Sequence, residues 1–199
     1  MNMKQNIIQI TLNNDRIKKY ENELKPNIID KYNKLIDIMK SSCSSFAQIM
    51  FSLSYPQSEC IKPRYEHNQI FNYFFKASLI HKYCKNGQVS ALKVIWIRNF
   101  DTNHTPQFHY LILINGESTN LKDEVTEAAR TQWGLTLGVN SANLVHLNAE
   151  NEKENILNGN LIFNRNLSQP KQAAMERLMF RQAQYLAQLV DHELLQKGA

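Results

Sequence analysis

Two apolar runs, residues 91–100 (ALKVIWIRNF) and 107–115 (QFHYLILIN), stand only six residues apart. Both are rich in the β-branched and aromatic residues that suit a pleated surface, and the segment between them (DTNHTP) has turn chemistry. Two strands joined by so short a loop predict an antiparallel hairpin. Every other element of the chain has to be placed around that pair.

Upstream, residues 46–55 (FAQIMFSLSY) read as a strand ended by Pro56. Residues 65–85 read as a helix with an aromatic stripe of Phe71, Phe74 and Phe75, for which core packing is the expected role. Downstream, residues 121–134 form a helix with Thr119 as a candidate N-cap and Asp123 and Glu124 in its first turn. Residues 143–147 and 161–163 are short strands with a polar loop between them, and Pro170 opens a final helix to about residue 196. At the N-terminus, residues 1–12 are a short strand or lead-in. Residues 15–40 carry apolar side chains at three- and four-residue steps, interrupted at Pro26. The expected fold is α+β: a central antiparallel sheet flanked by helices. Residues 1–45 form a helical extension, and residues 46–199 form the main domain.

Charge narrows the partners. The chain has a net charge of +5, unevenly spread. Residues 1–100 hold 15 Lys+Arg against 7 Asp+Glu (+8), and residues 101–199 hold 8 against 11 (−3). A basic half favours a polyanionic partner. The 23 asparagines, with abundant Ile and Lys, also look like the output of an AT-rich genome, and codon bias discounts part of that charge. No apolar run approaches the length of a membrane span, and the first residues are too polar for a secretory leader, so no membrane partner is expected. Three cysteines (Cys43, Cys60, Cys84) with no CxxC pair argue against disulfide scaffolds and zinc knuckles, and the expected location is the cytoplasm. Phosphate-loop, dinucleotide and serine-hydrolase signatures are missing.

Several residues could carry chemistry. On a strand, Gln107 and His109 project from one face about 7 Å apart, a spacing that suits a shared ion or phosphate and equally a hydrogen-bonded core histidine. Tyr55, Arg64, Tyr65, Trp96 and Arg98 could stack on and hold single-stranded DNA, although packing accounts for Trp96 as well. On the last helix, Leu178, Arg181, Tyr185, Leu189 and His192 recur at helical spacing, and Asp191, His192 and Glu193 form a further polar set.

The same stretch resembles a known family. Val94 to Asn99, Pro106, Gln107-Phe108-His109, Tyr110 to Ile114 and Asn115 are similar to the strand–loop–strand of the inovirus-type replication initiators. These are the gene-two-like proteins of filamentous phages and their relatives in bacterial prophages. Residues 128–135 (AARTQWGL), residues 143–147 (NLVHL) and residues 181–188 (RQAQYLAQ) resemble its later motifs in the same order. The likeness spans about residues 46–193. It implies a sheet of the Rep/RRM-like kind and a metal-dependent endonuclease that binds single-stranded or origin DNA, alone or with replication proteins. His109, with Gln107 at the place of the first histidine, would hold Mg²⁺ or Mn²⁺, and Tyr185 would attack the scissile phosphate. His146 on the neighbouring strand could substitute as a ligand or be a core or edge histidine. Arg64, Trp96, Arg98 and Arg181 would line the nucleic acid. Two positions depart from the family: Gln107 replaces a histidine and Gln188 replaces a lysine. Both departures point toward a weakened or silent nuclease acting as a binding protein, such as a replication regulator or an inhibitor of a nucleic-acid machine.

Overall fold

The computed structural model describes residues 28–57, 61–83, 92–101, 103–116, 118, 120–147 and 161–196. Expectations for residues 1–27, including the lead-in strand and the break at Pro26, lie outside them. So do Cys60, Cys84 and Thr119. The elements run α1 (Ile28–Ser42), β1 (Ser45–Leu53), α2 (Tyr65–Tyr83), β2 (Leu92–Phe100), β3 (Pro106–Asn115), α3 (Leu121–Leu137), β4 (Val145–Leu147), β5 (Leu161–Asn164) and α4 (Gln169–Gln196).

The five strands form one open antiparallel sheet, in which β2 and β3 pair as the hairpin spacing requires. Its order is β2-β3-β1-β4, and β5 shares the outer edge of β1 with β4. Phe51 to Leu53 of β1 take β4, and Ser45 to Gln48 take β5. The hairpin turn is fixed by Asp101, whose carboxylate accepts the backbone N–H groups of Asn103 (2.9 Å) and Thr105 (2.8 Å). His104 takes the left-handed position there with φ of 58°.

Helices cover both faces of the sheet. On one side α2 and α3 bury Phe71, Phe75, Leu79, Val125, Ala129 and Trp133 against Phe51, Tyr110 and Ile112. On the other, α1 and α4 bury Tyr32, Met39, Met179 and Leu186 against Phe46, Met50, Leu111 and Leu113. All nine residues of β1 are buried, which is why its sequence reads as an almost unbroken apolar run. Each large side chain enclosed this way contributes about 1.5–3 kcal/mol. No described helix is long and apolar enough to cross a membrane.

Three local expectations change. The aromatic stripe of α2 splits: Phe71 and Phe75 are buried, but Phe74 is 54% exposed, because residue 74 falls on the outer side of the helix. Helix α3 runs through Gly134 and stops at Gly138, which adopts φ of 69°. Gly134 is required by contact rather than as a terminator, since a Cβ there would lie 2.9 Å from the Val139 carbonyl oxygen. On α4 the buried stripe is Met179, Gln182, Ala183 and Leu186, one position round from the sequence pattern. Arg181 is therefore exposed, and Tyr185 is half-buried at the stripe's edge.

Candidate functional site

Alternation along β3 places Gln107 and His109 on the face covered by α1 and α4, the face on which Leu111 and Leu113 are buried. Register then builds a row across the sheet. His109 lies opposite Ile97 of β2 and Ser52 of β1, and Ser52 lies opposite His146 of β4. Gln107 lies opposite Asn99. Tyr185, from α4, packs against the apolar cluster on this same face. The sheet thus collects Gln107, His109, His146 and Tyr185 on one side.

Their environments differ sharply. His109 is only 6% exposed, and among the described residues neither ring nitrogen has a hydrogen-bond partner. Burial in apolar surroundings pushes its pKa down to about 4, so the ring is neutral at physiological pH. His146 is exposed, and its Nε2 lies 3.0 Å from the Ser54 hydroxyl. A serine hydroxyl at that distance is geometrically a nucleophile–base pair, but an orienting acid is needed to complete such a device. Among the described residues no three His, Cys, Asp or Glu side chains gather as a metal-holding group. Ser52 also separates the two histidines by a full strand, so neighbouring strands about 4.8 Å apart put their backbones close to 10 Å from each other. The expected ligands Gln107 and His109 stand on β3, and His146 stands on β4 with β1 between them. They offer one enclosed imidazole, with Gln107 two positions before it on the same face.

The expected nucleic-acid contacts are divided by the sheet. Trp96 and Arg98 point to the α2–α3 side. There Trp96 packs on the rings of Phe108 and Tyr110, and the Arg98 guanidinium sits 5.4 Å from the Phe100 ring centre. Arg64 precedes α2, and its carbonyl accepts the Tyr55 hydroxyl at 3.0 Å. Burial pushes the Tyr55 phenol up to about 12. Arg181 alone shares the α1–α4 layer with Tyr185. It is joined there by Lys31, Lys34, Lys171 and Arg177, all exposed. Asp191, His192 and Glu193 continue α4, but their side chains fall outside those described.

Sequence reasoning missed the polar knot that ties α1 and α4 to the sheet. Gln48, in the middle of buried β1, accepts the Tyr32 hydroxyl at 3.0 Å. It donates its amide to the Met179 carbonyl (2.8 Å) and to Gln182 (2.9 Å). The signal was present: Gln48 is the one long polar side chain inside an apolar strand, and such a group must find partners. On the outer side of the same layer, an ion pair between Lys40 and Glu176 (2.7 Å) links the two helices.

Compared with protein-family models, with curated proteins and with solved structures, the chain matches none.

Proposed function

We propose that this chain is a replication-initiator-like protein of a phage or mobile element that holds DNA without cutting it. The observation that carries the reading is the basic outer layer of α1 and α4. Among the described side chains, Lys31, Lys34, Lys171, Arg177 and Arg181 are exposed there, against the exposed acids Asp30 and Asp37 and the ion-paired Glu176. An excess of cations on one face attracts a phosphate backbone and gives binding without base readout. Silence in chemistry is supported by the enclosure of His109, by the separation of His146 from it, and by the glutamines at 107 and 188.

A second reading, a nicking enzyme, has one observation in its favour. Tyr185 packs on the same face of the sheet as Gln107, His109 and His146. In that reading these three residues would hold Mg²⁺ or Mn²⁺, which would polarise the phosphate that Tyr185 attacks.

One experiment separates the two. The protein and its Tyr185→Phe variant are incubated with labelled single-stranded DNA, with and without Mn²⁺. Salt-dependent binding by both, with no covalent adduct, is the expected result. An adduct that disappears in Tyr185→Phe establishes the nicking enzyme instead. No salt-dependent binding by either protein overturns both readings.

A further inference from the structure

Helix α2 carries an apolar patch on its outer side. Ile70, Tyr73 and Phe74 are 45%, 72% and 54% exposed, although the inner side of the same helix is already filled by Phe71, Phe75 and Leu79. The Tyr73 and Phe74 rings touch edge to face, 5.2 Å between centres, and form one continuous apolar surface. A cluster of this kind on a soluble surface marks an interaction site.

The residues around it specify the partner. At a helical advance of 100° per residue, Glu66, Ile70, Tyr73, Phe74, Ala77 and His81 share this outer side, and all six are exposed. The patch is centred between Tyr73 and Phe74. Glu66 lies seven positions before Tyr73, and His81 lies seven positions after Phe74. An acid and a base therefore stand at equal distances on either side of the apolar centre. A two-fold axis through that centre would lay two α2 helices antiparallel, with each acid opposite the base of the other copy. Tyr73 would meet Phe74 of the second copy, and the large Ile70 would meet the small Ala77.

We propose that α2 is the self-docking surface of a two-fold homodimer, centred on Tyr73 and Phe74 and keyed by Glu66 against His81 of the second copy. An isologous interface requires a patch complementary to itself under a half-turn, and this stripe meets that condition in both apolar content and charge. A phosphate backbone is a poor match, because among the described residues the stripe itself carries one carboxylate and one imidazole at its ends and neither lysine nor arginine. The dimer also leaves the α1–α4 layer of both copies open, since α2 covers the opposite face of the sheet.

Sedimentation velocity over a wide range of protein concentration tests the assignment. The expected result is a concentration-dependent shift from 23.2 kDa toward twice that mass. Tyr73→Asp should hold the chain at the monomer mass, with unchanged far-UV circular dichroism because the residue is exposed. His81→Glu sets like charges opposite one another at both ends of the stripe. It should weaken association roughly tenfold, with Glu66→Lys added to it restoring the wild-type value. A wild-type chain that stays monomeric throughout overturns the proposal. So does a Tyr73→Asp chain that dimerises like wild type, and so does a double variant no tighter than His81→Glu alone. None of these readouts involves DNA, so failure here leaves the DNA-binding reading standing.

Discussion

His109 and His146 stand in one cross-strand row with Ser52 between them, yet the first is enclosed and the second lies open to solvent. Strand position sets this difference. β3 is internal to the sheet and covered on both faces, whereas β4 is a three-residue edge strand. Two residues that the sequence groups as a ligand set are thus held in unlike surroundings.

The enclosure of His109 predicts a pH dependence. Its folded pKa of about 4 lies below the ordinary 6.5, so the unfolded chain takes up the proton more readily. The contribution is therefore fully favourable above pH 6.5 and is lost as pH falls toward 4, by up to about 3 kcal/mol. Urea unfolding of wild type and His109→Leu should diverge across that window, with the variant relatively more stable at pH 5. At pH 7 the two should agree within about 1.5 kcal/mol. Parallel curves at all pH values would contradict a buried neutral imidazole.

Gln48 should be among the most sensitive polar positions. Gln48→Ala leaves the Tyr32 hydroxyl and the Gln182 side chain without this partner and opens a cavity, costing about 3 kcal/mol. For a chain of this size that is a fall in Tm of roughly 6–12 °C. Combined with Tyr32→Phe, the loss should fall short of additive by about 0.5–3 kcal/mol, measurable in a double-mutant cycle.

The two glycines of the α3 terminus should respond differently. Gly134→Ala pushes a methyl group against the Val139 carbonyl oxygen and should cost about 1–3 kcal/mol. Gly138 has positive φ and open space around it, so Gly138→Asn should cost less than about 1 kcal/mol, because asparagine tolerates the left-handed region. Thermal unfolding of both variants checks the order.

The division of cations by the sheet predicts which arginines matter for DNA. If the α1–α4 layer contacts single-stranded phosphates, Arg177→Ala and Arg181→Ala should each reduce the slope of log affinity against log salt by about 0.7. Arg98→Ala, on the opposite face, should leave that slope unchanged. Fluorescence anisotropy titrations across several salt concentrations provide the measurement. Equal effects at Arg98 and Arg181 would place the nucleic acid elsewhere.

Residue order alone placed the described elements, with α3 three residues short, and the antiparallel sheet. The six-residue joint between β2 and β3, the alternation of Gln107 and His109, and Pro170 at the start of α4 are local facts, and local sterics and hydrogen bonding act on them directly. Burial was legible only where periodicity was unambiguous. The stripe of α2 could not be divided into a buried Phe71 and an exposed Phe74 until the sheet beneath fixed the rotation of the helix. The same holds for α4, where docking through Gln48 and Gln182 turned the buried stripe by one residue. Tertiary packing alone decided that Trp96 and Arg98 lie on the face opposite His109 and Tyr185, and that the His109 ring has no hydrogen-bond partner among the described residues. Those outcomes depend on strand order and on which helix covers which face. These are contacts between residues far apart in the chain, and no spacing within a motif encodes them.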